Sequence, residues 1–297
     1  MGLLDLLKKK PVTFKTVENP KPSYNPWDKS KGNSNKDYAT ANFLHMLSFQ
    51  ANPIKAKADD YPRYVSYELK INDPIKKHKE LLKAGYLRES TAAEVLGTFK
   101  VADLKAILEA NGIPPKGKKA ELIQAAANLD PAALKLPVMY CVSEKGLDFI
   151  KQNEDFIKLH LNPYEISFEE FITAKSNAHP HFKFNDIIWF IFNQREMSFP
   201  VDAYGLKRNN RLHMAMFLKS ENRLKDSLYH YIEVLYYDIN NPSFDVIAPK
   251  IKEAIYELKD HYTDEMVSKC YSRIYLPNKI PQESFMFILN GIFQEEK

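Results

Sequence analysis

The stretch from Gly112 to Ile123 reads G-I-P-P-K-G-K-K-A-E-L-I, and it leaves this part of the chain few ways to fold. Two glycines five apart, followed by lysines, come close to G-x-x-x-x-G-K-[ST], the loop that cradles nucleotide phosphates where a buried strand opens into a helix. The surrounding residues exclude that loop. The preceding V-A-D-L-K-A-I-L-E-A-N sets Val101, Leu104, Ile107 and Leu108 at helical spacing among alanines, so a helix leads in. Pro114 and Pro115 bring no N–H where the loop needs donors. Lys119 stands where a hydroxyl would hold magnesium. With Asn111-Gly112 as a helix stop, the segment reads helix, proline turn, glycine, lysines, helix.

Two phrases, F-K-V-A-D-L-K-A-I-L-E-A-N-G-I and P-K-G-K-K-A-E-L-I, carry a family resemblance through Leu104, Leu108, Gly112, Ile113, Gly117, Lys119, Leu122 and Ile123. Residues 97–131 resemble the SAP domain, a module of two helices around a short turn that is known for binding DNA. Two positions depart from the family pattern: Lys116 replaces a Ser or Thr before the glycine, and Ala125 replaces a late basic residue. The residues support the same reading physically. Gly117 permits a positive φ, and the helix that follows offers N–H groups and a dipole that favour an anion. Lys116, Lys118 and Lys119 add charge there, and Lys100 and Lys105 lie on the helix before. Such a constellation grips backbone phosphate and contains nothing that reads base edges. Five lysines against Asp103, Glu109, Glu121 and Asp130 leave a net charge of only +1 over the module.

The flanks supply a second resemblance. Asp73 and Pro74 can start a helix with Ile75, Leu81 and Leu82 on its apolar side, and Lys76, Lys77, Lys79 and Lys83 crowd the remaining surface. The phrase E-L-L-K-A-G-Y-L at its end, and Y-C-V-S-E-K-G-L-D-F-I about fifty residues later, are similar to the recognition helix and wing of winged-helix DNA-binding domains. The resemblance implies that the SAP module is inserted in the wing. Residues 1–36 are expected to be a flexible basic arm, 37–96 and 136–155 the winged-helix-like domain, and 156–297 an α-helical bundle or stack of helix pairs. The fold class expected is therefore mainly α.

Within the last segment, Ser167 and Glu170 fit a capping box. Asn185 or Asp186 can start I-I-W-F-I-F-N, and a long helix over Arg211–Asp238 is expected to break near Ser220. Chemistry is sparse. His179-Pro180-His181 has the spacing of an ordinary loop. Lys207, Arg208 and Arg211 form a small basic cluster, and Asp60 with Glu68-Leu69-Lys70 only faintly echoes metal-dependent nucleases. Cys141 and Cys270 stand apart from each other and from any histidine at ligand spacing, which fits a reducing cytoplasm. No apolar run approaches a membrane span, and the apolar part of M-G-L-L-D-L-L is too short for a signal peptide.

Residues 1–150 hold 24 Lys and Arg against 17 Asp and Glu, whereas residues 151–297 hold 18 against 21. A basic first half facing a polyanion is the sharper meaning of that asymmetry. The expected function is non-catalytic binding of double-stranded DNA, weakly sequence-selective, with no cofactor or metal. The C-terminal helices would serve a protein partner or self-association. The combination resembles bacterial and phage proteins with an embedded SAP module. The alternatives are a protein-interaction adaptor and a DNA-processing enzyme whose site the sequence does not display.

Overall fold

The computed structural model describes residues 29–48, 61–130, 134–241, 247–277 and 279–294. Among them are fifteen α-helices and a single two-stranded sheet. Most of the basic arm, together with Asp60, lies outside the described residues. The segment 29–36, read as part of that arm, is helical, because α1 runs from Lys29 to Ser48.

The first core gathers Phe43, Leu44 and Leu47 of α1 with Val65 of the one-turn α2 (Tyr64–Tyr67) and Leu81 of α3 (Pro74–Lys83). Asp73 caps α3 through its Oδ1, which accepts the Lys76 amide at 2.9 Å, and Pro74 occupies the first turn. Gly85, at φ 76°, ends the helix: its amide donates to Leu82 O and that of Tyr86 to Leu81 O. This pair of bonds is a Schellman motif, which aims the chain into an extended segment.

That segment is β1 (Leu87–Glu89), and it pairs antiparallel with β2 (Tyr140–Val142) in the register Leu87↔Val142, Arg88↔Cys141, Glu89↔Tyr140. The ribbon continues on both sides, with Ser90 N donating to Met139 O and Ser143 N to Tyr86 O. Between the strands lie α4 (Ala92–Gly97), α5 (Val101–Ala110) and α6 (Lys119–Ala127), closed around Leu96, Leu104, Leu108, Leu122 and Ala126. After β2, Ser143 caps α7 (Glu144–Gln152) by accepting the Gly146 amide. Gly146 lets this turn press on the ribbon, since a Cβ there would lie 2.4 Å from Tyr86 O and 2.6 Å from a Val142 methyl carbon.

Only Asn153 separates α7 from α8 (Glu154–His160), so no linker divides the chain at residue 155. Tyr38 of α1 reaches across: its ring lies 4.7 Å from that of Phe168, and its hydroxyl is 3.3 Å from His160 Nδ1. A second core packs α8 with α9 (Phe168–Asn177), α10 (Phe184–Ser198) and one side of α11 (Tyr204–Ser220). A third joins the other side of α11 to α12 (Leu224–Ile239), α13 (Pro249–Glu257), α14 (Asp264–Arg273) and α15 (Gln282–Gln294). The break between α11 and α12 falls at Glu221–Arg223, where Asn222 takes φ 58°. The expected capping box at α9 is half formed. Ser167 Oγ accepts the Glu170 amide, but the Glu170 carboxylate turns to Arg195 at 2.7 Å, a stronger charged partner than a backbone N–H.

Candidate nucleic-acid interface

The turn between α5 and α6 is built from two motifs. At the end of α5, Gly112 N donates to Glu109 O and Ile113 N to Leu108 O, a Schellman motif with Gly112 at φ 72°. Ile113 then packs beside Leu108 in the small core, which fixes where the proline turn leaves. At the start of α6, Gly117 takes φ 102° and hands the chain to Lys118, the N-cap residue. Lys116, Gly117, Lys118 and Lys119 are all exposed.

Two bonds alter the expected anion seat. The Glu121 carboxylate folds back over the start of α6 and accepts the Lys118 amide at 3.1 Å. A Cβ on Gly117 would lie 1.7 Å from that same carboxylate oxygen. The chain's own anion therefore covers the helix N-terminus, and a phosphate arriving there has to displace it or bind beside it. Lys119 Nζ donates to Gly97 O at 2.8 Å, capping the end of α4 while leaving the ammonium on the surface. Lys100, the N-cap residue of α5, and Lys105 on α5 are exposed, and Asp103 accepts the Lys100 amide at 3.2 Å.

The module is joined to the ribbon by charge. Arg88 on β1 holds Glu94 on α4 in a two-pronged pair of 2.7 and 2.9 Å. Glu94 also closes a capping box with Thr91, and Cys141 Sγ of β2 lies 4.0 Å away. The Arg88 hydrogen bonds and the Thr91 amide hold the Glu94 carboxyl down at about 2. The signal T-x-x-E at Thr91–Glu94 was legible in the sequence, yet the reading that began at residue 97 omitted α4 and its buried Leu96.

The α3 lysines divide. Lys76, Lys79 and Lys83 are exposed, whereas Lys77 is half-buried and donates from Nζ to Thr40 Oγ1 of α1 at 2.8 Å. Burial lowers the Lys77 pKa, with Glu80 opposing and Lys36 assisting. Lys77 thus ties two helices together. Beside it opens a cleft of 780 Å³ in which Lys36, Lys70, Lys76 and Lys77 face Glu68, Asp73, Glu80 and Glu169. Four cations matched by four carboxylates give it no net pull on phosphate.

The remaining candidates fall elsewhere. Arg208 holds Asp238 in a two-pronged pair at 2.8 and 2.9 Å, Arg211 reaches Glu196 and Glu233, and Lys207 Nζ donates to Val201 O. The two arginines of the basic cluster are spent on carboxylates of neighbouring helices, while Lys207 stays at the surface. Glu68 faces His160 at 3.9 Å, with Asp60 outside the described residues. His179 and His181 are exposed neighbours with ring centres 5.1 Å apart. Among the described residues, no group of three or more His, Cys, Asp or Glu side chains is placed to hold a metal ion. No described helix is long and apolar enough to cross a membrane.

Comparison with known families agrees with the geometry over one segment. Residues 95–130 are a SAP domain. The SAP domain is a DNA-binding motif, and its span here takes in the end of α4 and all of α5 and α6. No match to the chain was found among curated proteins or among solved structures.

Proposed function

We propose that this protein binds double-stranded DNA through backbone phosphates, with little sequence preference and without catalysis. The SAP domain, presenting Lys116, Lys118 and Lys119 at the start of α6, is the observation that carries the reading. Exposed Lys76, Lys79 and Lys83 extend it to α3. In the finer version α1–α3 with the β1–β2 ribbon form a winged-helix-like unit, α3 being the helix offered to the groove; the order of three helices followed by the ribbon supports this. The α8–α15 region then serves protein partners or self-association. Because lysine–phosphate contacts release counterions, log affinity should fall linearly with log salt, by roughly one unit per phosphate neutralised. Titrating labelled duplexes of unrelated sequence at two salt concentrations tests this. Comparable affinities with a steep salt slope support it, and a salt-insensitive affinity, or none, defeats it.

A second reading has its own support. The net +1 of the module and the Glu121 carboxylate over α6 both weaken phosphate binding and suit a SAP domain docked on protein. An affinity for duplex that disappears in moderate salt, beside a salt-resistant protein partner, would favour it.

A further inference from the structure

We propose that α3 and the SAP domain hold one duplex simultaneously, within a single helical turn, and that Lys145 belongs to the near half of this grip. The inference rests on the DNA-binding reading and adds to it a geometry, a footprint and a residue.

The two cationic ends are joined by a short, fixed connection. From Lys83, the last residue of α3, the chain runs through β1 to Thr91 and then along α4 to Gly97. At about 3.3 Å per extended residue and 1.5 Å per helical residue, that path spans at most roughly 35 Å. Lys119 Nζ bonds Gly97 O, so the start of α6 is tied to the end of this path. One turn of B-DNA rises about 34 Å, so even the fully drawn-out path is about one turn long and both ends lie within reach of one turn.

The connection is also held in direction. Three residue pairs fix the ribbon, and Ser90 N to Met139 O extends it to the module's doorstep. Arg88 on the ribbon then clamps Glu94 on α4. A module on a flexible tether would sample many orientations, whereas this one is presented at a set angle and loses little freedom on binding.

Lys145 completes the near end. Its Nζ donates to Ala84 O at 2.7 Å, beside the C-terminus of α3, and lies 5.0 Å from the centre of the Tyr86 ring. This exposed ammonium is thereby placed next to Lys83 although it comes from α7. Lys79, Lys83 and Lys145 form the near set, and Lys116, Lys118 and Lys119 the far set. Arg88, between them, is neutralised by Glu94.

Duplexes of about 8 and about 20 base pairs, the second longer than one turn, separate one-point from two-point binding by the intact protein. Two-point binding predicts an affinity about 10- to 100-fold higher for the longer duplex, after correction for the number of registers. The Lys79→Ala/Lys83→Ala/Lys145→Ala variant and the Lys116→Ala/Lys118→Ala/Lys119→Ala variant should each collapse that ratio towards one. Glu94→Gln, which loosens the clamp, should shrink it. Equal corrected affinities for the two duplexes, with binding lost only in the SAP variant, would overturn the joint grip and leave the DNA-binding reading standing. Absence of binding to either duplex at low salt would overturn both.

Discussion

At the scale of the residue, Glu121 would govern how well the SAP turn receives the phosphate proposed for it. Its carboxylate stands over the helix terminus that Lys116, Lys118 and Lys119 surround. Glu121→Gln removes a negative charge from the seat and keeps a side chain able to accept the Lys118 amide. DNA affinity should rise by about 2- to 10-fold at low salt, with a stability change under about 1 kcal/mol. Fluorescence titration and thermal unfolding of the same samples check both halves, and an unchanged affinity would place phosphate away from α6. Gly146 makes the opposite case, a residue that matters for what it lacks. Gly146→Ala puts a methyl against the Tyr86 carbonyl and should cost about 1–3 kcal/mol, read from denaturant unfolding. Gly205 has nothing within 4 Å of an added Cβ, so Gly205→Ala in α11 should be neutral or stabilising by up to about 1 kcal/mol.

At the scale of the element, the α11–α12 hairpin is fastened by an internal ion pair. The Asp238 side chain is 1% exposed and takes both its bonds from Arg208. Asp238→Ala leaves a guanidinium largely buried without its carboxylate and should lower stability by about 3–5 kcal/mol, seen as a lower denaturant midpoint. Replacing both partners with apolar residues should recover much of that loss. The hairpin also marks the limit of what the sequence discloses. Its break near Ser220 and its apolar stripe are local patterns, as are the Asp73-Pro74 start of α3 and the Asn111-Gly112 stop of α5. The fate of Arg208 and Arg211 is not local. The partners of Arg208 and Arg211, which are Asp238, Glu233 and Glu196, come from other helices or from the far end of the hairpin, whereas Lys207 only reaches the nearby Val201 carbonyl, so a solvated basic cluster and two partly buried anchors look alike in sequence. The same reason hid Lys77, whose partner Thr40 lies on α1. Glu121 was within reach, because a Glu at the third position of a helix can reach back to the N-cap amide even where the N-cap residue is not Ser or Thr.

At the scale of the whole molecule, buried imidazoles link stability to pH. Burial is the leading cause that holds His45, His78, His160 and His213 below the ordinary histidine value; Glu68 partly opposes it at His160 and Glu165 at His213, while Arg195 adds to it at His213 and His160 at His45. His78 is fully buried among Tyr61 and Tyr140, and His213 sits in the second core beside Tyr164. A base with a depressed folded pKa leaves the unfolded chain binding more protons. Stability is therefore complete above about pH 6.5 and falls as pH drops through that value towards the folded pKa values. The melting temperature should decline between about pH 7 and pH 5, before most carboxylates titrate. A His78→Gln variant should decline less steeply over that interval, and a flat profile in the parent would contradict the assignment.

The ribbon that carries the SAP domain enters and leaves it through directly paired residues, with Ser90 bonded to Met139. Seen from the rest of the fold, everything between them occupies the place of a hairpin turn. Such a doorway makes the insert a transferable cassette. A lineage could acquire it, lose it or trade it for another small module by altering one loop, with no strand re-registered and no core repacked. Closing the gap with a two-residue turn such as Asn-Gly would restore an ordinary hairpin. The SAP domain and the fold of the rest of the chain are thus separately heritable.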